Sequence, residues 1–397
     1  MLQNTTPAGL DADVIVVGGG PVGTTTALKL ARGGLRVIVL EARSTNTIEG
    51  RATTFHPPTL EMLESIGVTD ELIRRGLKAP IYQFRDAKLG KIVDLDFGVL
   101  HEDTAYPYRL QLEQSNLTQL AVEGLETHPL AEYRSEARVS QVTQLAGCVE
   151  VVVDEGSRAD VLRARHVVAA DGMRSVVRSG LGLDFSGHTY PERYLVLSTQ
   201  LPLHEILDDL AAVNYVADPE AWHVLLRNPS GWRILFPAPP TAGSDEEVRS
   251  DDYVRRALQL VVPTADLSDI DRVTLYEVHR KVAERFRVGD IFLVGDSAHV
   301  NNPLGGMGMN SGIHDGMLLA DVLLAGADSD ALDRWAESRR AVALEFVGEE
   351  TEGNWTALRD DNEERRAKKR EEWRALEADQ AAQRQFLLRS SMLASLK

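Results

Sequence analysis

A βαβ unit near the start of the chain constrains the fold more than any other feature. The apolar run at 12–17 predicts a buried strand and leads directly into Gly18-Gly19-Gly20-Pro21-Val22-Gly23. A helix over 24–32 and a second strand over 35–40 follow, and Glu41 ends that strand roughly 20 residues after the glycines. Because G-x-G-x-x-G acquires its meaning in this context, the unit predicts a dinucleotide site. A tight turn without a ligand, beside a solvated Glu41, is the alternative.

The stretch at 291–316 has a similar arrangement of strand, glycine-rich loop and helix. Ile291–Val294 predicts a buried strand, and Asp296 places a carboxylate just beyond its C-terminal end, where ligands bind in open α/β sheets. Glycines and a proline between 303 and 312 allow the backbone to approach a flat ligand closely. The helix predicted from Ile313 points its positive N-terminus at the same place. These residues predict that a carboxylate, a glycine loop and a helix end converge on one ligand, with an unliganded strand-to-helix turn as the alternative.

Length, charge and cysteine content narrow the class of protein. A chain of 397 residues is expected to form about two domains, and its net charge of −17 argues against a nucleic-acid partner. Cys148 is the single cysteine, which excludes an internal disulfide and fits the reducing cytosol. No run approaches the ~20 apolar residues of a membrane span, and no signal-peptide pattern opens the chain. We therefore expect a cytoplasmic protein with no transmembrane segment, and the sequence suggests no metal site.

The remaining hydrophobic and turn patterns divide the chain into candidate domains. Val167–Ala170 predicts another buried strand, which again ends in an Asp-Gly turn at Asp171-Gly172. Between 186 and 285, strand-like segments alternate with Pro, Gly and Asn turns, as in an antiparallel sheet. The prediction is an α/β fold with a Rossmann-like domain formed by 11–79, 111–185 and 286–350, an inserted antiparallel β-sheet domain for the substrate formed by 80–110 and 186–285, and a charged helical segment at 351–397.

Three separated motifs then stand in one order: Gly18-x-Gly20-x-x-Gly23 with Glu41, Ala170-Asp171-Gly172-x-x-Ser175-x-x-Arg178, and Gly295-Asp296-Ser297-Ala298-His299-x-x-x-Pro303-x-x-Gly306-x-Gly308-x-Asn310. In this order and spacing the set resembles the single-component FAD-dependent aromatic hydroxylases, the para-hydroxybenzoate hydroxylase-like (class A) flavoprotein monooxygenases. The resemblance covers about residues 11–350. It implies that the Rossmann-like domain binds FAD. The sequence contains no second strand-GxGxxG-helix unit. This fits the family, in which NAD(P)H docks transiently, and the resemblance implies the same here.

The resemblance implies roles for residues at matching positions. Arg51 is tied to movement of the flavin, and Asp171 also helps NAD(P)H to bind. His299 belongs to the fingerprint, but we expect it to make a structural hydrogen bond at the turn. The implied FAD contacts are Gly18, Gly20, Pro21, Val22 and Gly23 at the pyrophosphate, Glu41 and Arg43 at the adenosine ribose, Arg51 and Gln114 near the pyrophosphate and ribityl chain, Asp171, Asp296 at the ribityl hydroxyls, and Pro303, Gly306, Gly308, Met309 and Asn310 along the isoalloxazine ring.

The implied reaction is oxygenation of an electron-rich ring. NAD(P)H reduces FAD, O₂ is captured as a flavin C4a-hydroperoxide, and one oxygen atom passes to a phenol or hydroxylated heteroaromatic. Arg51 and Pro303 are the catalytic candidates among the fingerprint residues. A base that favours the phenolate would activate the ring, and the candidates on the inserted sheet, none fixed by a motif, are His223, His279, Tyr215 and Arg233. A homodimer would suit the family.

Two other functions stay open at this point. A flavin reductase, dehydrogenase or halogenase could use the same fold, although Trp232-Arg233-Ile234-Leu235-Phe236-Pro237 lacks the second tryptophan of the halogenase pattern W-x-W-x-I-P. A non-catalytic FAD-fold binding protein is the other alternative. The intact Pro303–Asn310 loop argues against it, since a protein that only binds would not need those ring-facing residues.

Overall fold

A computed structural model describes residues 9–44, 52–156 and 158–396. Within these residues the strands, in chain order, are β1 (Ala12–Val17), β2 (Val37–Leu40), β3 (Thr54–Phe55), β4 (Leu77–Ala79), β5 (Ile81–Asp86), β6 (Gly90–Asp96), β7 (Arg109–Gln111), β8 (Ala131–Arg134), β9 (Arg138–Leu145), β10 (Cys148–Glu155), β11 (Arg158–Ala169), β12 (Phe185–Thr199), β13 (Val213–Ala217), β14 (His223–Asn228), β15 (Gly231–Ala238), β16 (Ile270–Ala283), β17 (Arg287–Val288), β18 (Ile291–Leu293) and β19 (His299–Val300).

The α-helices in the same residues are α1 (Pro21–Arg32), α2 (Pro57–Glu64), α3 (Thr69–Arg75), α4 (Gln114–Glu126), α5 (Val176–Gly180), α6 (Leu203–Ile206), α7 (Asp245–Val248), α8 (Asp251–Gln259), α9 (Gly308–Leu324), α10 (Ser329–Ala341), α11 (Gly348–Arg359), α12 (Glu363–Ala378) and α13 (Gln380–Ser390). A π-helical segment, Val342–Val347, joins α10 to α11. Short 3-10 turns lie at Phe97–Leu100, Pro240–Ala242, Leu267–Asp269, Gly295–Ser297 and Leu393–Leu396.

The first sheet has the Rossmann-like arrangement that the sequence predicts. Its order is β17-β18-β11-β1-β2-β8, and the strands from β18 to β8 run parallel. The strand predicted at 167–170 is the end of one long strand, β11, whose first half pairs with β10 and whose second half pairs with β1. The strand order reverses between β1 and β11, where an open α/β sheet forms its ligand crevice.

Helices cover this sheet closely. In α1, the hydroxyls of Thr24, Thr25 and Thr26 donate to carbonyls one turn back, at 2.9, 2.7 and 2.7 Å, so these three residues are buried without unpaired donors. A β-carbon on Gly316 of α9 would lie 1.9 Å from Oγ1 of Thr26. The missing side chain at Gly316 therefore sets how closely α9 can cross α1.

The second sheet is the predicted antiparallel sheet, with the order β19-β16-β12-β15-β14-β13-β5-β6. Its neighbours are antiparallel except β13 and β5, which run parallel. Its inner face carries Tyr215 and Leu235 and packs against the C-terminal helices, whereas its outer face carries Leu225 and Ile234 and packs against α8. Both segments predicted for the inserted domain contribute strands to it, and the domain boundaries themselves stay a prediction.

The C-terminal helices pack on the inner face. The C-terminal segment is helical, as the sequence predicts, and α12 packs through one side. Trp373 is buried and stacks on Phe84 with ring centroids 4.1 Å apart. Arg366 and Arg370 pair with the buried carboxylate of Asp86 at 2.8 and 3.2 Å. Within the residues described, no helix is both long enough and apolar enough to cross a membrane.

Candidate active site

Three motif-bearing loops meet at the carboxyl edge of the parallel sheet. They follow β1, β11 and β18, which are neighbours in the order β18-β11-β1. The N–H of Ala170 donates to the carbonyl of Val17 at 2.7 Å, and the N–H of Val294 donates to the carbonyl of Ala169 at 3.0 Å. A β-carbon on Gly18, whose φ is +107°, would lie 2.3 Å from the carbonyl oxygen of Ala170. Only glycine fits where the first two loops touch.

The glycine loop is held by the acid that follows β2. The N–H of Gly19 donates to Oε2 of buried Glu41 at 2.7 Å. The other oxygen, Oε1, accepts from the backbone N–H and from Nε of Arg43, both at 3.0 Å. A β-carbon on Gly20, by contrast, would meet no atom within 4 Å. Glu41 therefore fixes the loop from one side while the side at Gly20 stays open.

The Asp-Gly motif after β11 leaves one buried oxygen without a partner. Oδ2 of Asp171 accepts from the N–H of Val177 at 3.2 Å, but Oδ1 has no hydrogen-bond partner among the described residues. Burial raises the pKa of the Asp171 carboxyl, despite hydrogen bonds from Ser175 and the start of α5. Arg178 ties this motif to the next one, because its Nη1 donates to the carbonyl of Ser297 at 2.8 Å. Asp171 is thus held in place with one acceptor unused.

The loop before α9 is clamped by an asparagine. Its backbone turns at Gly305 and Gly306, where φ is +110° and +68°. Nδ2 of buried Asn310 donates to the carbonyls of Thr54 and Gly306 at 2.8 and 2.7 Å, and its Oδ1 accepts from the N–H of His56 at 2.9 Å. The side chain of Asn310 therefore joins the loop to β3, and only its backbone is left to face a ligand. Pro303, Gly306 and Gly308 are half-buried along the same loop, and Met309 is buried.

A buried charge network supports the Gly295-Asp296 turn from behind. Nε2 of His299 lies 2.7 Å from Oδ2 of Asp315, and Nε of Arg339 donates to Oδ1 of Asp315 at 2.7 Å. The N–H of Gly295 also donates to Oδ2, at 3.2 Å. Burial alone would raise the pKa of Asp315, but His299 and Arg339 together lower it. His299 thus makes a hydrogen bond behind the turn, while Asp296 is exposed at its front.

Two further predicted contacts lie at the edge of this site. Gln114 is the first residue of α4, and its N–H donates to the carbonyl of Ala52 at 3.1 Å. Arg43 is exposed beside Glu41. Arg51 lies outside the described residues, so its predicted role rests on the resemblance alone.

The four candidate bases do not gather at one point. Tyr215 and Arg233 share the inner face, where Nη2 of buried Arg233 donates to Glu113 at 2.6 Å. His223 lies on the outer face, 5.5 Å from the Phe236 ring, with its Nδ1 bonded to the carbonyl of Ala221 at 3.0 Å. His279 bonds to Thr189 at 2.8 Å, and burial lowers the pKa of both histidines. The structure brings Tyr215 and Arg233 onto one face and leaves the two histidines elsewhere.

Four buried polar residues on or next to strands β3 and β7 were not predicted from the sequence: His56, Tyr82, Arg109 and Gln111. A usable signal is present in Tyr108-Arg109-Leu110-Gln111-Leu112, where arginine and glutamine alternate with apolar residues in a strand-like run. The usual interpretation of such a pattern is a strand with one solvated face. Here that face is buried.

The fold and these loops define the class of the protein, which comparison with known proteins confirms. Residues 11–350 match the FAD binding domain family, and the chain belongs to it. The predicted resemblance to FAD-dependent aromatic hydroxylases is confirmed, and so is FAD as the cofactor. The chain is an FAD-dependent monooxygenase of the aromatic hydroxylase class.

Individual relatives and one solved structure are similar to the chain over most of its length. The chain is 35% identical over 388 residues to para-nitrophenol 4-monooxygenase of Pseudomonas sp. (strain WBC-3), with 94% of each chain covered. It is 32% identical over 357 residues to 6-hydroxy-3-succinoylpyridine 3-monooxygenase HspB of Pseudomonas putida (strain DSM 28022 / S16), covering 86% of this chain and 87% of that one. Among solved structures it resembles p-nitrophenol 4-monooxygenase PnpA from Pseudomonas putida DLL-E4, with a TM-score of 0.89, 32% identity and coverage of 96% and 98%.

Proposed function

We propose that this chain hydroxylates a phenol carrying a para substituent, or a hydroxylated pyridine, with O₂ and NAD(P)H. The observation that supports this most strongly is the 35% identity to a para-nitrophenol 4-monooxygenase along 94% of both chains. The second relative is named for a hydroxylated pyridine. In the balanced reaction one atom of O₂ enters the ring as a hydroxyl and the other leaves as water, while NAD(P)H and a proton supply two electrons and the hydrogens.

We infer that FAD lies across the carboxyl edge of the parallel sheet. The open side at Gly20, the unpartnered Oδ1 of Asp171 and the exposed carboxylate of Asp296 fit a cofactor rich in hydroxyl and phosphate groups. When bound and reduced, FAD supplies the oxygen-activating chemistry. The residues we assign to it are Gly18, Gly20, Pro21, Val22, Gly23, Glu41, Arg43, Arg51, Gln114, Asp171, Asp296, Pro303, Gly306, Gly308, Met309 and Asn310.

We infer that the aromatic substrate lies between the inner face of the antiparallel sheet and the loop Pro303–Asn310. Tyr194 on that face donates from its hydroxyl to Oδ1 of Asn302 at 3.1 Å, so the face directly abuts the residue before the loop. Tyr215 and Arg233 offer polar groups on the same face, and we retain them with Pro303 and Arg51 as catalytic candidates. Glu113 orients Arg233 through their ion pair. His223 and His279 are less favoured because they lie off this face.

The decisive experiment measures NAD(P)H consumption by the FAD-loaded protein across a panel of phenols and hydroxypyridines. Product mass and peroxide are assayed in the same reactions. We expect a para-substituted phenol to accelerate NAD(P)H oxidation and to gain one oxygen atom. A compound that accelerates oxidation but yields only peroxide, or only a reduced product, would favour the reductase alternative. A protein that binds FAD yet oxidises no NAD(P)H with any compound would favour the binding-protein alternative.

We further propose a homodimer that works in the cytoplasm. The dimer is supported by the family resemblance, and the compartment by the single cysteine and the need for NAD(P)H. Light scattering during size-exclusion chromatography would measure the mass. A monomer at all micromolar concentrations would overturn the dimer.

A further inference from the structure

The small sheet β3-β7-β4 turns a polar face towards the interior. Thr54 on β3 is paired with Gln111 on β7, and Phe55 with Leu110, so the same register sets His56 beside Arg109. Alternate residues of a strand point to one side, which places all four polar side chains on one face. Arg109 is 1% exposed, and His56 and Gln111 are 0% exposed. This face is therefore a buried polar surface.

The guanidinium of Arg109 is buried without an anion. Its Nη2 donates to the carbonyl of Ser390 at 3.0 Å, and its carbon lies 4.3 Å from the Tyr82 ring centroid. No carboxylate of the described residues pairs with it, and its Nε has no acceptor there. Among the other buried arginines, Arg339 pairs with Asp315 and Arg233 with Glu113. Arg178 donates to the carbonyls of Ser297 and Met173, whereas Arg109 has only the carbonyl of Ser390. An unpaired buried charge is costly, so this position calls for an anionic partner.

Two neighbours of Arg109 also have unused polar atoms. Oε1 of Gln111 accepts from Oγ1 of Thr54 at 3.1 Å, which leaves the Nε2 group as a donor without an acceptor among the described residues. Nε2 of His56 lies 2.9 Å from the carbonyl of Gly305, which can only accept, so Nε2 carries the proton. Burial, and then the charge of Arg109, keep the pKa of His56 well below its usual value. The ring is neutral at pH 7, and its buried, unpartnered Nδ1 is an acceptor.

The unused atoms lie where the ring-facing loop and the C-terminal segment meet. His56 reaches the loop through Gly305, and Arg109 reaches the C-terminal segment through Ser390. Met392 of that segment is fully buried against Met307. The hydroxyl of Tyr82, whose ring covers the guanidinium, also has no hydrogen-bond partner in the described part of the chain. The buried polar face thus offers two unused donors, on Arg109 and Gln111, and one unused acceptor, on His56.

We propose that Arg109, Gln111 and His56 bind the phenolic oxygen of the aromatic substrate. That oxygen accepts from Nε of Arg109 and Nε2 of Gln111. If the substrate arrives as a phenol, its proton points to Nδ1 of His56; if it arrives as a phenolate, its charge pairs with Arg109. A phenol has both an acceptor and a donor at one atom, as this cluster requires. The inference rests on the proposed function and adds to it a site for the substrate oxygen.

The test titrates the oxidised, FAD-loaded protein with 4-nitrophenol and with nitrobenzene, which lacks the phenolic oxygen. Difference spectra report binding, and the colour of 4-nitrophenolate reports its ionisation. We expect Arg109→Met to weaken 4-nitrophenol binding by about tenfold or more, the effect of losing a charged hydrogen bond. It should also raise the pH at which the bound ligand ionises, because Arg109 stabilises the anion. Nitrobenzene binding should be weak and unchanged by the substitution.

Two further variants keep the test decisive if Arg109→Met fails to fold. Gln111→Met removes one donor, and His56→Gln keeps a donor towards Gly305 while removing the Nδ1 acceptor. Each should weaken 4-nitrophenol binding without affecting nitrobenzene. Arg366→Met is the matched control, because Arg366 is a largely buried arginine that already has a carboxylate partner. It should lower the melting temperature and leave both affinities unchanged.

Equal loss of both ligands in the Arg109, Gln111 and His56 variants would overturn the proposal, as would wild-type protein that binds no phenol. These outcomes are separable from failure of the proposed function. If phenols bind through Arg109 but none is oxygenated, the proposed function fails and the binding site stands. If phenols are oxygenated and the variants bind them like wild type, the binding site fails and the function stands.

Discussion

At the scale of single residues, most polar atoms near the site are already committed to the fold. Both oxygens of Glu41 accept from N–H groups, and the side-chain amide of Asn310 joins the loop at 303–310 to β3. Asp171 differs, because one of its buried oxygens has no partner among the described residues. The residues whose atoms remain unused are therefore the ones on which a ligand should depend most.

Asp171→Asn should separate cofactor binding from folding. The amide keeps an acceptor for the N–H of Val177 but removes the charge, so we expect FAD affinity to fall by about tenfold. Burial raises the pKa of Asp171 in the folded protein. The carboxyl therefore stabilises the fold when it is protonated, and this contribution is lost as the pH rises through the raised pKa. The apo variant should therefore be at least as stable as wild type at pH 7. Flavin fluorescence and thermal melts of the apo protein would measure both effects, and an unchanged FAD affinity would contradict this role.

Asp315→Asn should destabilise the protein because it leaves Arg339 buried without an anion. We expect a loss of roughly 3–5 kcal/mol at pH 7. The pKa of Asp315 is lowered in the folded protein, so its contribution is present above the usual value of 3.8 and is lost as pH falls through the lowered value. Urea unfolding at pH 7 and near pH 3 should show the gap between variant and wild type shrinking in acid. Glu71→Gln, which removes an ion pair with the exposed Arg74, is the control and should change little.

At the scale of elements, the parallel sheet and its three loops could be predicted from the sequence. Runs such as 12–17 and 291–294 are short, apolar and followed at once by glycine, so local pattern and local structure agree. The start of α1 at Pro21 rather than Thr24 shows the usual limit at helix ends. β3 and β7 have only two and three residues, and their pairing depends on contacts far along the chain. The alternation at 108–112 indicates a strand, but it does not show that Arg109 and Gln111 face inwards.

Trp373→Ala should test whether α12 is part of the structural core. Removing a buried tryptophan that stacks on Phe84 should cost roughly 3–5 kcal/mol. Hydrogen exchange across 363–378 should rise more than exchange in β1, since the damage begins in the helix. Urea unfolding would give the size of the loss. Lys368→Ala, at an exposed position of the same helix, should leave both measurements unchanged, and equal effects of the two substitutions would refute the packing argument.

At the scale of the whole molecule, the candidate site depends on segments that are distant in sequence. The loop at 303–310 is bonded to Thr54 and His56, across about 250 residues, and Arg233 of the antiparallel sheet pairs with Glu113. Motifs in the sequence identify each loop separately. They do not report how the loops and the antiparallel sheet are placed relative to one another, because that arrangement is set by packing between elements.

The hydrogen bond between Arg109 and Ser390 also has a consequence for how the protein is made. Its partners are 281 residues apart, so a ribosome adding about 5–20 residues per second emits the second roughly 15–55 s after the first. During that time Arg109 lacks the acceptor that Ser390 provides in the finished protein. The proposed phenol site is consequently among the last parts of the protein to be completed, because it includes a hydrogen bond to the segment around Ser390.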